Sequence, residues 1–133
     1  MMKVSPYISF NGNCTEAVAL YEKAFNVKAN VTLYKDAMPG AAPDDQVMDA
    51  QFKIGGDTIM LNDVMPNMPK ADIGGNIMLT VKFDEADAKT LMAGFDLLKD
   101  GGQVIMDWCE VPWSKRFSLV VDKFGTKWNF CQN

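Results

Sequence analysis

Residues 117–133 read FSLVVDKFGTKWNFCQN, with two apolar runs on either side of a short charged turn. The turn, 122–125, ends in a glycine, which can adopt the backbone conformation that a tight reversal needs. Apolar runs on both sides of such a turn are typical of a β-hairpin. We therefore predict that the chain ends in two antiparallel strands, over 116–122 and 126–132.

The terminal hairpin has a counterpart 69 residues earlier in the chain. Gly125 precedes the run TKWNF, and Gly56 precedes the run DTIML. The same spacing, without gaps, relates two further pairs of landmarks: Tyr7 with Asn76, and Glu16-Ala17 with Glu85-Ala86. Such a repeat indicates that one structural unit occurs twice.

Each repeat has the pattern of a strand, a helix and then three strands. In the first module, Asn13 is positioned to cap the helix with Glu16 as its capping-box partner, and Asn26 is positioned to end it. In the second, Asp84 is the expected cap, and Leu91, Met92, Phe95 and Leu98 recur at helical spacing as a buried stripe. The other predicted strands cover 4–10, 29–35, 46–54, 57–63, 76–83 and 103–111.

Two prolines and a glycine pair mark residues 64–75 as the connection between the modules. The first module then covers about residues 1–63 and the second about residues 76–133. Neither module has enough strand and helix surface for a good core of its own. We therefore expect the two modules to pair within a single domain that spans residues 1–133.

The composition argues against several classes of protein. The formal net charge is −4, and no cluster of Lys and Arg is present, so we expect no nucleic-acid partner. No apolar run approaches the length of about 20 residues that a membrane helix needs, so no membrane partner is expected. The three cysteines are an odd number without paired spacing, which favours free, mostly buried thiols in the cytoplasm. The absence of histidine removes the usual catalytic base and the commonest metal ligand.

Three stretches carry a resemblance to a known family: SPYISFNGNCTEA at 5–17, KIGGDTIMLNDVMP at 53–66, and VPWSKRF with VVDKFGTKW between 111 and 128. On these residues the chain resembles the vicinal oxygen chelate (glyoxalase/bleomycin-resistance/dioxygenase) superfamily. Within it, the chain is most similar to the PhnB-like branch, whose domain is also labelled a 3-demethylubiquinone-9 3-methyltransferase. The resemblance implies an α+β fold in which two paired βαβββ modules form a curled mixed sheet around a cleft. It also implies a homodimer.

In metal-dependent members of this superfamily, side chains from the first and last strands of each module hold a divalent ion. Carried over to this chain, those positions are Tyr7 (or Pro6, if the register differs by one residue), Met60, Asn76 and Asn129. Neutral amides and a thioether are poor ligands for such an ion, and catalytic zinc sites use His, Cys or carboxylate ligands. We therefore predict no metal and no cofactor, and we assign these four side chains to ligand binding.

Other candidate residues lie in two strands. Asp49 occupies a place where relatives carry an ionisable side chain, which suggests a polar anchor or base, although strand alternation also allows it to face outward. Trp108 and Trp113 can form an aromatic wall with Glu110 and Arg116 at its rim. The alternatives are that both tryptophans pack in the core or in a dimer interface, and that Arg116 lies in a solvated turn. Asp49 and Glu110 are the candidate catalytic groups, whereas Cys109 and Cys131 are expected to be core residues.

These observations favour a metal-free homodimer that binds a small organic ligand in an apolar-aromatic cleft. The alternative is an enzyme of the superfamily type, a lyase, isomerase or dioxygenase, that uses carboxylates or a weakly held divalent metal. A methyltransferase is disfavoured, because Gly55-Gly56 and Gly101-Gly102 resemble strand connections and not the glycine-rich cofactor turn of a doubly wound sheet.

Overall fold

The computed structural model describes all 133 residues, which form eight strands, three α-helices and one 3-10 turn. The strands are β1 (Tyr7–Phe10), β2 (Asn30–Leu33), β3 (Val47–Ile54), β4 (Asp57–Asp63), β5 (Leu79–Phe83), β6 (Gln103–Val111), β7 (Ser114–Val121) and β8 (Lys127–Gln132). The helices are α1 (Cys14–Phe25), α2 (Tyr34–Ala37) and α3 (Ala88–Lys99), and the 3-10 turn covers Glu85–Asp87. No helix has the length and apolar character needed to cross a lipid bilayer. Residues 1–22 and 26–71 form one compact unit, and residues 23–25 and 72–133 form a second.

The first unit contains a four-stranded mixed sheet in the order β1-β4-β3-β2. β1 is parallel to β4, and the other neighbouring strands are antiparallel. Side chains alternate between the two faces of a strand, and one face of this sheet buries Phe52, Ile59 and Leu61. The ring of Tyr21 in α1 lies 6.1 Å from the ring of Phe52, so α1 covers this apolar face. The opposite face is the open face of the first sheet.

A buried carboxylate connects three segments of the first unit. Asp63 is fully buried at the end of β4, and its Oδ1 accepts hydrogen bonds from the backbone N–H groups of Gly12 (2.8 Å) and Cys14 (3.0 Å). Its Oδ2 accepts one from the N–H of Val47 (2.9 Å). These donors belong to the turn before α1 and to the start of β3. The expected capping of α1 by Asn13 is wrong, because Asn13 makes no side-chain cap bond and Asp63 binds the N–H groups at this helix start instead. Asn26 does end α1, in a left-handed conformation.

The second unit contains the corresponding sheet in the order β5-β8-β7-β6. Trp128 and Phe130 of β8 are fully buried, and Phe25 packs on Trp128 with 4.9 Å between ring centroids. The predicted terminal hairpin is present as β7 and β8. Its turn is held by Asp122, whose carboxylate accepts hydrogen bonds from the N–H groups of Phe124 and Thr126 and from the indole N–H of Trp128. Residues 72–133 thus carry the same strand order and pairing directions as the first sheet.

Several element boundaries differ from the sequence prediction. The strand predicted over 76–83 begins only at Leu79, and the strand predicted over 29–35 ends at Leu33, where α2 begins. The hydroxyl of Tyr34 donates to the backbone carbonyl of Asp63 (2.7 Å), which places the first residue of α2 in the core. Asp84 makes no cap bond, and its carboxylate accepts from the Asn133 amide instead.

The buried stripe of α3 differs from the prediction at one position. Leu91, Phe95 and Leu98 are buried as predicted, whereas Met92 is 37% exposed. Met92 follows directly after Leu91, so the helix rotates it by about 100° out of the stripe.

The two modules have the same order of strands, but the spacing between corresponding residues is not constant along the chain. The spacing of 69 residues relates the ends of β4 and β8, Asp63 and Gln132, as it relates Gly56 and Gly125. The first strands follow a different spacing, because Tyr7 pairs with Met60 whereas Thr80, and not Asn76, pairs with Asn129. The helices are also offset: Cys14, Ala17, Tyr21 and Ala24 are buried in α1, and Ala88, Leu91, Phe95 and Leu98 are buried in α3. The first module therefore has extra residues between α1 and β3, where it contains α2 and the loop after it.

We expect the Asp63→Ala substitution to lower the free energy of unfolding by about 3 kcal/mol, because it leaves three backbone N–H donors without their charged acceptor. Urea denaturation followed by circular dichroism measures this change. Asp57→Ala removes an exposed carboxylate from the same strand and should change the stability by less than about 0.5 kcal/mol. Equal losses in both variants would contradict the role that we assign to Asp63.

Candidate functional site

Polar side chains lie in rows across the open face of the first sheet. Tyr7, Met60 and Gln51 are neighbours across β1, β4 and β3, so two of the predicted site residues, Tyr7 and Met60, are adjacent. In the next row, the Ser9 hydroxyl donates to the side-chain carbonyl of Asn62 (2.8 Å). The sequence analysis missed Ser9, Gln51 and Asn62, although strand alternation from Tyr7, Asp49 and Met60 places them on the same face.

Asp49 lies on this open face and interacts with two neutral donors. The hydroxyl of Tyr7 donates to Asp49 Oδ1 (3.1 Å), and the amide of Gln51 donates to Asp49 Oδ2 (3.1 Å). Partial burial, together with the hydrogen bond and negative charge of Asp49, raises the pKa of Tyr7 to about 12. The phenol therefore keeps its proton at neutral pH, and the pair presents a hydrogen-bonded hydroxyl and carboxylate. This arrangement supports the interpretation of Asp49 as a polar group of the open face.

In the second unit, Asn129 is the residue that stands at the centre of the sheet. It is 5% exposed, and it lies between Thr80 of β5 and Leu119 of β7. Trp128 and Phe130 point into the core, so alternation directs Asn129 to the opposite side, the open face of the second sheet. Its side-chain amide makes no hydrogen bond to another group of the protein and keeps contact with solvent, because the buried side-chain polar atom without a partner is Ser118 Oγ.

A cavity of about 370 Å³ lies on the same side of the second sheet. Its walls are formed by Asn76, Met78, Ile105, Leu119, Val121 and Lys127. Leu119 is the strand neighbour of Asn129, which places the buried amide next to an apolar wall of this cavity. The ammonium group of Lys127 donates to the carbonyl of Gly75. Asn76 precedes β5, which begins at Leu79, so it lines the cavity from a loop and does not belong to the first strand of the second module.

The predicted aromatic wall does not form as one surface. Trp108 is half-buried, with its ring 5.2 Å from Phe95 and 6.0 Å from Phe130. Trp113 is 67% exposed and contacts Phe117 edge to face at 5.6 Å. The bulges in β6 and its alternation direct Trp108 toward α3, so only Trp113 and Phe117 remain together. Trp108 thus contacts buried rings of the second unit while it remains half-buried.

Arg116 is engaged in a polar cluster of the second unit. Its guanidinium donates to the carboxylate of Glu85 (3.0 Å) and to the side-chain carbonyl of Gln132 (3.3 Å). The amide of Gln132 donates to the same carboxylate (2.6 Å), and this bond, with the charges of Arg116 and Lys115, holds the pKa of Glu85 below its usual value. Gln132 is buried at the end of β8, the position that Asp63 occupies in β4. Arg116 therefore ties the start of the α3 segment to the sheet.

The remaining ionisable candidates are dispersed. Glu110 is exposed on β6. Cys109 is also exposed, and Cys131 is half-buried, so the expectation of core cysteines holds only for Cys14. Burial and the charge of Asp63 raise the pKa of the Cys14 thiol to about 12, so it is not a thiolate at neutral pH.

The donor set does not fit the divalent metal that the superfamily implies. Tyr7, Met60, Thr80 and Asn129 occupy the paired positions of the first and last strands, and they offer a protonated phenol, a thioether, a hydroxyl and an amide. No group of three or more His, Cys, Asp or Glu side chains is placed to hold a metal ion. Hard or borderline ions prefer carboxylate, imidazole or thiolate ligands, so this set is chemically unsuitable.

Comparisons of the sequence with known proteins identify a family and a relative. The sequence profile of a family described as 3-demethylubiquinone-9 3-methyltransferase matches residues 2–131. Protein YjdN of Escherichia coli K12 is 32% identical over 140 residues, which cover 96% of this chain and 92% of YjdN.

Two solved structures share the fold. The PhnB protein of Bacillus cereus has a TM-score of 0.76 at 24% identity, with 99% of this chain and 100% of that chain covered. A glyoxalase/bleomycin resistance protein/dioxygenase family enzyme of Burkholderia phytofirmans has a TM-score of 0.61 at 13% identity, with coverages of 96% and 95%. The resemblance inferred from the sequence and the predicted α+β fold of two βαβββ modules are thereby confirmed.

The Tyr7–Asp49 contact predicts how Tyr7 titrates. With a pKa of about 12, Tyr7 stays protonated at pH values where a free tyrosine ionises, and Asp49→Asn should lower this pKa by about one unit. NMR of tyrosine labelled with ¹³C at Cζ follows each phenol. Because a raised pKa favours the folded state below the unfolded value near 10, wild type should lose stability relative to Tyr7→Phe as the pH rises from 10 toward 12.

Tyr34 is the internal control for this titration. Its pKa is raised by burial and by the charge of Asp63, so it should be unaffected by Asp49→Asn. An unchanged Tyr7 titration in Asp49→Asn would show that Asp49 does not influence the phenol.

Proposed function

Because the chain belongs to the PhnB-like family described as 3-demethylubiquinone-9 3-methyltransferase, which has the glyoxalase fold, we propose that it is a metal-free homodimer that binds a small organic ligand. The ligand occupies the apolar cavity on the open face of the second sheet, next to Asn129. The observation that carries the proposal is the cavity itself, together with Asn129, whose amide makes no hydrogen bond within the protein and whose strand neighbour Leu119 lines the cavity.

The size and lining of the cavity support ligand binding. Ligand pockets commonly occupy about 300–1,000 Å³ and combine apolar walls with a few polar groups. This cavity measures about 370 Å³, and Met78, Ile105, Leu119 and Val121 supply its apolar surface. The Asn129 amide makes no hydrogen bond within the protein, so it can donate to and accept from a bound molecule. A ligand that offers a carbonyl or hydroxyl to Asn129 can take the place of water there.

The proposed dimer rests on exposed apolar side chains of the second unit. Val104, Ile105 and Met106 are adjacent in the edge strand β6, and they are 38–52% exposed. Edge strands with exposed apolar residues are sites where a second chain can pair or pack. We place the protein in the cytoplasm, where the exposed thiol of Cys109 is kept reduced, and we assign it neither a nucleic-acid nor a membrane partner.

The alternative is an enzyme of the superfamily type, a lyase, isomerase or dioxygenase that works with carboxylates or a weakly held metal. The contact between Tyr7 and Asp49 favours it, because the Asp49 carboxylate, oriented by the Tyr7 hydroxyl at 3.1 Å, can accept a proton from a bound substrate. The methyltransferase activity in the family description has less support. Gly55-Gly56 joins β3 to β4 and Gly101-Gly102 lies between α3 and β6, so neither pair forms a glycine-rich turn from strand to helix.

Binding of the neutral fluorescent probe N-phenyl-1-naphthylamine tests the ligand pocket. Wild type should enhance its fluorescence saturably, and Leu119→Trp, which fills the cavity, should weaken binding about tenfold. Val31→Trp is the matched control, because it enlarges an exposed apolar side chain of the first sheet and should bind like wild type. Thermal melting confirms that both variants are folded. Equal affinities for all three proteins would overturn the pocket assignment.

Native mass spectrometry of untagged protein tests the dimer and the metal together. After incubation with Zn²⁺, Ni²⁺, Mn²⁺ and Fe²⁺ and desalting, we expect a species of two 14.7 kDa chains without bound metal. Met106→Asp should shift the population toward monomer, because it places a charge in the exposed apolar segment of β6. Stoichiometric metal would favour the enzyme alternative, with Asp49 and Glu110 as the first residues to replace, and a monomeric wild type would contradict the dimer.

A further inference from the structure

A second cavity lies in the first unit, and its lining is basic. It measures about 360 Å³ and is lined by Val27, Lys28, Asn30, Gln51, Phe52, Lys53 and Thr58. The cavity has no acidic lining residue, although the chain as a whole carries a net charge of −4. We propose that this cavity binds a small organic anion through its carboxylate or phosphate group.

The two lysines line the same cavity. Lys53 pairs with Thr58 across β3 and β4, and Lys28 lies two residues before Asn30, which pairs with Gln51 across β2 and β3. Two ammonium groups that line one cavity repel each other, and an anion between them offsets this repulsion. The cavity thus presents two ammonium groups to a bound anion.

Neither lysine is neutralised within the protein. The ion pairs of the chain join Lys99 to Asp96, and Lys115 and Arg116 to Glu85. The nearby carboxylate of Glu22 accepts a hydrogen bond from the backbone N–H of Ala29 (2.8 Å) and forms no ion pair. Lys28 and Lys53 therefore remain available to an anion.

Neutral donors complete the cavity. The Asn30 amide and the Thr58 hydroxyl make no side-chain hydrogen bonds within the protein, so both can donate to an anionic oxygen. The Gln51 amide is already bound to Asp49, so it forms a wall of the cavity and connects it to the Tyr7–Asp49 pair. A ligand held by its anionic group at the lysines can extend its organic part along the open face toward Asp49. This site is independent of the apolar cavity in the second unit.

NMR titration with inorganic phosphate and, separately, with acetate tests the proposal. At low ionic strength, the amide signals of residues 28–30, 51–53 and 58 should shift saturably, and added sodium chloride should weaken the effect. Lys28→Gln combined with Lys53→Gln should weaken binding about tenfold, because two charged donors are lost. Lys3→Gln combined with Lys35→Gln makes the same change in net charge at exposed lysines outside the cavity, and it should bind like wild type.

A second variant gives an independent readout. Lys53→Glu places a carboxylate in the same cavity as Lys28, so it should raise the melting temperature without anion and abolish the increase that phosphate gives to wild type. Tighter binding of phosphate than of acetate would identify a phosphate ligand, and the reverse order a carboxylate. If neither anion shifts the cavity signals, or if the control pair of substitutions weakens binding equally, the site does not exist. The neutral naphthylamine probe does not depend on these lysines, so failure here leaves the pocket of the second unit untouched.

Discussion

The carboxylate of Asp63 is the constraint on which the first unit depends. It joins the end of β4 to the turn before α1 and to the start of β3, with three backbone N–H bonds of 2.8–3.0 Å. These bonds fix the alignment of β1 with β4 and therefore the adjacency of Tyr7 and Met60. A buried charge that is fully hydrogen-bonded to backbone in this way favours one arrangement of the strands, because any other leaves it unsatisfied.

In the second unit, different side chains connect the end of the last strand to the rest of the unit. Gln132 occupies the place of Asp63, but it binds the side chain of Glu85 at the start of the helical segment, and Arg116 joins the pair. Asp122 carries the buried carboxylate of this unit, and it holds the β7–β8 turn and the indole of Trp128. The two repeats thus share strand order and pairing but not the interactions that stabilise them. A duplicated fold can keep its architecture while the polar contacts at each strand end diverge.

The open faces of the two sheets differ in a way that bears on function. The first carries the Tyr7–Asp49 pair and contributes to a cavity with two lysines that form no ion pair, whereas the second carries an apolar cavity lined by Leu119, the strand neighbour of Asn129. Neither face offers the carboxylate, imidazole or thiolate ligands that a divalent metal requires. The side-chain amide of Asn129 suits hydrogen bonding to a neutral ligand. The fold therefore sets where side chains are placed on each open face, and the chemistry of those side chains determines which ligands the face can bind.

The sequence by itself determined the eight strands and the two long helices, but not α2, because apolar alternation, the glycine turns and the repeat depend on local backbone preferences. It also established the resemblance to the family and the unsuitability of Asn129 for a metal. The tertiary structure determined which residues pair across strands and which side chains contact each other. The extra residues before β3 changed the spacing of the repeat, so Thr80 and not Asn76 pairs with Asn129. Trp108, on the bulged strand β6, contacts the rings of Phe95 and Phe130, and Arg116 contacts Glu85 and Gln132 at the buried end of β8. Strand pairing brings together residues that are distant in sequence, so local sequence patterns do not specify which residues pair. A one-residue change in register also moves a side chain to the opposite face of the sheet.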